Sequence, residues 1–290
     1  MVKINKIVDL EKVVIKFAGD SGDGMQLAGN QFTETSAIVG NDLATFPDFP
    51  AEIRAPQGTV AGVSGFQIHI GKIQITTPGD TADVLVAMNP AALKANKNYV
   101  KKGGSIILNI DSFTKRDLEK AGYQSSPLDD NSLESFNLVK APITKLTRET
   151  LKNSNLNGKS IGRCKNIFAL GIVYWMFNRP LDPTINFLEK KFKKDIDLST
   201  ANVKVLKAGY NFANTIEVFS SSYTVSSANL EEGTYRNIMG NQALSWGLLS
   251  AAENTQKKLF LGSYPITPAS DILHELAKHK SFGVITFQAE

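Results

Sequence analysis

Thr267 stands between Pro265 and Pro268 in the stretch LGSYPITPASDIL, residues 261–273. A hydroxyl in that setting can serve as a fixed hydrogen-bonding group, because each proline locks φ and removes a backbone donor. The apolar run Leu259, Phe260, Leu261 reads as a short buried strand that Gly262 ends, and Pro265 sets an extended turn after it. Thr267 then reads as a helix N-cap, since Pro268 suits the first helical position, where a missing N–H costs nothing. The helix that follows carries Ile272, Leu273 and Leu276, with Asp271 in its first turn to complement the dipole. A strand, a rigid turn and a helix start together present a hydroxyl and free amides at the rim of a sheet, where α/β proteins bind anionic ligands. A Thr-Pro pair by itself more often only caps a helix.

A second candidate is the loop GDSGDG, residues 19–24, which follows a strand and opens a helix. It departs from the dinucleotide fingerprint, because Ser21 takes the place of the glycine that lets the backbone approach a pyrophosphate. Asp20 and Asp23 also set negative charge where a phosphate would lie. Gly19, Ser21, Gly22 and Gly24 therefore read as a tight strand-to-helix turn whose backbone can meet a ligand or a partner domain. Gly22-Asp23-Gly24 has the form that opens a magnesium and pyrophosphate motif, but no Asn follows in residues 50–56, PAEIRAP, to complete the oxygen ligands of a hard cation. The third candidate is PDFPAEIRAPQGT, residues 47–59, whose three prolines stiffen Glu52 and Arg54 into either a structural corner or a preordered surface for an anion or a neighbouring chain. Metal ligation is not expected. The histidines are three, His69, His274 and His279, none at metal-ligand spacing, and the single Cys164 can hold neither an iron–sulfur cluster nor a structural zinc alone.

The elements that must position these residues follow a β-α-β rhythm. Val13–Phe17 is a strand and the helix after it bears Met25, Leu27, Ala28 and Phe32. GVSGFQIHIG alternates, with Phe66, Ile68 and Ile70 on one face and Gln67 and His69 on the other, and KIQITT is expected to pair with it across a tight turn at Gly71-Lys72. DVLVAM (83–88) and SIILNI (105–110) flank a helix expected from Asn89-Pro90 to Gly103-Gly104. A mixed, helix-covered sheet is predicted. KNIFALGIVYWMF (165–177) is apolar all round and must be buried. Asp182-Pro183 opens another helix through Phe187, Leu188 and Phe192, and Thr200 is expected to cap one that runs to about Ile216. The Ser-rich SSSYTVSSAN (220–229) reads as a linker, which sets a first domain at 1–219, a linker at 220–232 and a new strand-helix unit at 233–290.

Composition narrows the classes. At 290 residues, 42% hydrophobic and 21% charged, the chain can build one large or two ordinary cores. The net charge of +4, spread among both signs, does not point to nucleic acid. No run approaches the roughly 18 apolar residues of a membrane span, and MVKINKIVDLEK is too charged for a signal peptide, so a cytoplasmic protein without a membrane partner is expected.

FAGDSGDGMQLAGNQF, TFPDFPAEIRAPQGTVAGVSGFQIHIG, NIFALGIVYWMFNRPLDPTINFLEKKF, LKAGYNFANT and GSYPITPASDI followed by FQAE together resemble the α subunit of 2-oxoacid:ferredoxin oxidoreductases, from about residue 11 to the last. The resemblance is to the 2-oxoglutarate type, in which a γ domain precedes the thiamine-binding α domain. It implies a mixed three-layer γ domain and then the start of a pyrimidine-binding α/β domain. It further implies thiamine diphosphate shared with a β subunit, coenzyme A as co-substrate, ferredoxin as acceptor, magnesium and an iron–sulfur cluster on the β subunit, and a dimer of αβ units. Thr267 is implied to hydrogen-bond the 2-oxoacid, with Tyr264, Pro265 and Ile266 shaping the pocket beside the aminopyrimidine. The family reads Gln-Ala-Glu-Asp-Glu where this sequence closes on Gln288-Ala289-Glu290. Glu290 is thus implied to be the activating glutamate or its neighbour, with the rest of that domain removed or carried on a separate polypeptide. Two other readings predict different chemistry: a catalytically silent γ-domain scaffold that docks subunits, and an NAD-dependent dehydrogenase using the 19–24 loop.

Overall fold

In the computed structural model, which describes residues 6–50, 52, 55–215 and 221–289, the alternation of apolar residues becomes the two faces of one sheet. The elements run β1 (Lys6–Asp9), β2 (Lys12–Asp20), α1 (Met25–Ile38), β3 (Asp42–Asp48), β4 (Val63–Gly71), β5 (Ala82–Ala87), α2 (Pro90–Asn96), β6 (Val100–Asn109), α3 (Lys115–Lys120) and β7 (Asn137–Ala141). A helical block follows: α4 (Ile143–Thr150), α5 (Gly158–Arg163), α6 (Lys165–Met176), α7 (Asp182–Lys191) and α8 (Ile196–Thr215), then β8 (Ser221–Thr224). The last elements are α9 (Gly240–Thr255), β9 (Phe260–Ser263), α10 (Ser270–Leu276) and β10 (Ile285–Gln288). Contacts divide the chain into two units, residues 1–231 and 232–290.

The first unit is built on a six-stranded sheet of order β3-β4-β2-β5-β6-β7. β2, β5, β6 and β7 are parallel, and β4 runs antiparallel between β2 and β3. Period-2 alternation sends Val13, Ile15, Phe17, Val84, Val86 and Ile107 to a core shared with α1, α6 and α8. The intervening Ala18, Leu85, Ala87, Ile106 and Leu108 face a second core with α2. Both faces are covered, as the mixed three-layer class requires. α6 is buried from Asn166 to Met176, so its uniform apolarity reports its place and not an amphipathic face.

Several boundaries differ from the sequence expectations. KIQITT is not a strand. β4 already pairs with β2 and β3 on its two edges, and the segment instead lies across its face, where Gln67 Nε2 donates to Pro78 O at 2.9 Å and His69 Nδ1 donates to Thr77 O at 2.8 Å. α2 stops at Asn96, and Gly103-Gly104 lies inside β6, where the register against β5 shifts and Gly103 takes φ +75°. Thr200 is inside α8. The cap is Asp195, whose Oδ1 accepts from Leu198 N at 3.0 Å. The Ser-rich stretch read as a linker holds β8, which pairs with β1 in parallel. Asn41 Nδ2 donates to Val225 O at 3.1 Å and Ser226 O at 2.7 Å, and Asn178 Nδ2 to Tyr223 O at 3.0 Å, so this stretch is bound into the first unit.

The second unit pairs β9 with β10 in parallel and packs α9 on α10 around the buried Ser245, Leu273 and Leu276. No described helix is long and apolar enough to cross a membrane.

Candidate functional site

Two regions hold the residues singled out by sequence, one in each unit. In the first unit, the C-terminal ends of β2, β5 and β6 frame a hollow of about 150 Å³ that Asp20, Asp23, Asn89 and Lys165 line. An adjoining hollow of about 440 Å³ shares Ser112, Asp117 and Lys165 and reaches Thr144 and Lys145 at the start of α4 and Arg148 in its last turn. Such strand-end crevices are the usual ligand position in doubly wound sheets.

The 19–24 loop closes on its own carboxylates. Asp20 N donates to Asp23 Oδ2 at 3.0 Å, Gly58 N donates to Asp20 Oδ1 at 3.1 Å, and Lys165 Nζ lies 2.7 Å from Asp23 Oδ1. Burial raises the Asp20 carboxyl above its ordinary range, with the charge of Asp23 adding to that rise and the Gly58 amide opposing it. Two acids against one lysine make a poor phosphate cradle, which weakens the dinucleotide reading. Gly19 and Gly24 answer to packing: a Cβ at Gly19 would stand 2.8 Å from Asp23 Oδ2, while at Gly24, φ +73°, it would overlap the Asn166 side chain. Ser21 and Gly22 are exposed on the same loop. Arg54 lies outside the described residues. Cys164 is buried, and burial pushes its thiol up to about 11, so it stays protonated near neutrality.

In the second unit, the turn after β9 presents Tyr264, Pro265, Ile266 and Thr267 to solvent. Thr267 is not a helix cap. α10 begins at Ser270, where Ile266 O accepts from both Ser270 N at 2.9 Å and Ser270 Oγ at 3.1 Å. The Thr267–Pro268 peptide is cis. Pro268 O accepts from Asp271 N at 3.1 Å and from Asn241 Nδ2 of α9 at 3.1 Å. The backbone is thus held through its carbonyls, whereas the Thr267 hydroxyl has no hydrogen-bond partner among the described residues. Ala289 N donates to Ser263 O at 2.8 Å, so the chain that leads to residue 290 leaves the same sheet edge as the turn. Glu290 itself lies outside the described residues. Asn241 escaped the sequence reading, because an Asn just after a glycine at a helix start looks like a cap; its side chain makes no cap and reaches across to α10's entry.

The Thr267 hydroxyl thus stands beside the exposed Tyr264 and Ile266 on the turn that leaves the C-terminal end of β9. The family model described as pyruvate ferredoxin/flavodoxin oxidoreductase matches residues 14–212. The chain is 52% identical over 281 residues to 2-oxoglutarate oxidoreductase subunit KorA of Mycobacterium tuberculosis, covering 97% of this chain and 43% of that protein. It is 29% identical over 137 residues to the common subunit gamma of the pyruvate/ketoisovalerate oxidoreductases of Thermococcus litoralis, covering 46% of this chain and 71% of that one. Its structure resembles the 2-oxoglutarate:ferredoxin oxidoreductase of Magnetococcus marinus, solved with 2-oxoglutarate, coenzyme A and succinyl-CoA bound, with a TM-score of 0.73 and 25% identity over 97% of this chain and 44% of that one. The chain thus spans less than half the length of both KorA and the solved oxidoreductase chain.

Proposed function

Because the chain belongs to the pyruvate ferredoxin/flavodoxin oxidoreductase family, we propose that it works as the γ-domain and pyrimidine-domain portion of a 2-oxoglutarate:ferredoxin oxidoreductase. The assembly converts the 2-oxoacid, coenzyme A and two oxidised ferredoxins to acyl-CoA, carbon dioxide, two reduced ferredoxins and the proton released from the coenzyme A thiol. The observation that carries the reading for this chain is the Thr267 hydroxyl, without a hydrogen-bond partner among the described residues, on a turn tied down through Ile266 O and Pro268 O.

In this reading Thr267 Oγ1 donates to a carboxylate or keto oxygen of the substrate, an interaction that needs no reorganisation of the turn. Tyr264, Pro265 and Ile266 form the apolar wall beside the aminopyrimidine of thiamine diphosphate; their exposure leaves that surface open to receive it. The cofactor, when bound, supplies the electron sink for decarboxylation. The carboxylate that activates it belongs to the segment after Ala289, at Glu290 or just beyond. A β subunit holds the magnesium, the pyrophosphate and an iron–sulfur cluster, and passes electrons to ferredoxin in a cytoplasmic dimer of αβ units. The six-stranded unit is the γ domain.

The test is Thr267→Ala in the assembled enzyme. Turnover of 2-oxoglutarate is expected to fall about 100-fold, the cost of one preorganised donor to a developing oxyanion, at an unchanged melting temperature. Wild-type kinetics in that variant would overturn the reading.

A further inference from the structure

We infer that Asn241 is the positioning residue of the Thr267 turn, holding it from α9 so that the hydroxyl can stay free for substrate. The inference rests on the proposed function above, and concerns a residue whose side-chain amide bonds to the turn itself.

The segment from Tyr264 to Pro268 has little with which to hold itself. Pro265 and Pro268 have no amide hydrogen, and the one hydrogen bond wholly within the segment runs from Ile266 N to Tyr264 O at 2.9 Å. Its forward end is tied to α10 through Ile266 O and Pro268 O. Asn241 Nδ2, 3.1 Å from Pro268 O, is the side chain that ties the same end to a different helix. Two anchors on separate elements fix the plane of a peptide carbonyl, where one anchor leaves it free to swing. Pro268 O belongs to the residue that directly follows Thr267, so holding it limits how far the backbone that carries the threonine side chain can swing.

α9 is itself held. Trp246 Nε1 donates to Glu275 Oε1 of α10 at 3.1 Å, and the buried Ser245 Oγ donates to Asn241 O at 2.8 Å. Asn241 therefore reaches from a helix whose place against α10 is set one to two turns further on. Its chemistry also suits the task. A neutral amide donates to a carbonyl without adding a charge that would compete with Thr267 for an anionic oxoacid, and without a carboxylate that would repel one. A capping role does not account for it, because α9 has Met239 at its N-cap and no side-chain cap bond.

The test uses the assembled enzyme with Asn241→Ala, the isosteric Asn241→Asp, Thr267→Ala, and the double variant Asn241→Ala/Thr267→Ala. Hydrogen exchange at the amides of Ile266, Thr267 and residues 269–271 reads the turn directly, and steady-state kinetics read its use. In Asn241→Ala the exchange is expected to quicken about 5- to 10-fold, the weight of one hydrogen bond. Turnover of the 2-oxoacid should fall by a similar factor, while KM for coenzyme A and the melting temperature stay put. Asn241→Asp should do no better than Ala, since it keeps the volume and loses the donor. The double variant should be no slower than Thr267→Ala alone, because the two residues act on one interaction. Unchanged exchange in Asn241→Ala, or a double variant that multiplies the two losses, overturns the inference. Faster exchange in Asn241→Ala alongside wild-type kinetics for Thr267→Ala would uphold the positioning of the turn and remove the role proposed for threonine.

Discussion

Glu275 shows how a single side chain decides the packing of a small unit. Lys278 Nζ meets it at 2.6 Å, Trp246 Nε1 at 3.1 Å and His279 Nε2 at 3.5 Å. The Lys278 hydrogen bond, then that of Trp246, hold its carboxyl down at about 2, against an ordinary value of 4.5. An acid with a depressed folded pKa stabilises the fold fully above its ordinary value, and that support drains away as pH falls from there towards 2. Glu275→Gln keeps an oxygen for Trp246 but loses the charge. Its melting temperature should therefore lie below wild type near neutrality, with the gap narrowing as the pH is lowered from about 5 to about 3. A gap of constant size across that range would show that the ionised form contributes nothing. Sequence could flag Glu275 as one charge on a helix, but Trp246 comes to it from 29 residues away, which no local spacing reveals. Thr267 was legible in part for a similar reason. The paired prolines mark a rigid turn at any level of reading, whereas its capping role depended on where α10 begins, and Ile266 O takes the first helical donors at Ser270 in its stead.

Elements were legible where their own residues dictate them. β5 and the core of β6 are apolar runs, β2 is one broken once by Lys16, α6 is apolar all round, and each forms where the pattern puts it. They became illegible where a neighbour decides. KIQITT has strand chemistry but finds both edges of β4 taken, and the Gly103-Gly104 pair that resembles a helix end instead absorbs a register shift between β5 and β6. The crossing of α6 and α8 depends on another pair of glycines. A Cβ on Gly171 would overlap Leu206 O, and one on Gly209 would overlap Phe168 O, so the two helices meet backbone to backbone with no room for a methyl. The obstacles are main-chain atoms, which cannot rotate away as a side-chain tip can. Gly209→Ala should cost about 3 kcal/mol or more, the upper end of overpacking penalties, despite the better helix propensity of alanine, which is worth about 1 kcal/mol in the opposite direction. Chemical denaturation of the variant measures the sum; a stability equal to or above wild type would mean that the helices can slide apart at no cost.

At the scale of the whole chain, the two units bury their apolar residues to different degrees. Of the eighteen large hydrophobic side chains exposed among the described residues, ten belong to residues 232–290, Phe260, Tyr264, Phe282 and Phe287 among them. A two-stranded sheet with two helices has too few layers to cover both of its faces. The first unit has both faces of its sheet covered and two cores of its own. Its limit, though, is not where Ser-rich composition suggests. β8 adds to β1, Val225 is 2% exposed, and Asn41 and Asn178 spend their amides on the backbone of residues 223–226. Asn41 also accepts from Arg179 Nη2 at 2.6 Å, so the bonds to this stretch lead into a buried guanidinium, 4% exposed, beneath it. Cutting the chain at 219 would strip the covering strand and expose that cation's surroundings to water, while cutting at 231 would keep every one of these bonds. A fragment of residues 1–231 is therefore expected to unfold cooperatively and to bind little hydrophobic dye, and a fragment of residues 1–219 to melt several degrees lower, since a loss of 1 kcal/mol moves the midpoint of a domain this size by about 2–4 °C. Equal melting temperatures for the two fragments would mean that β8 is only laid on the first unit, and that the Ser-rich stretch is a connector after all.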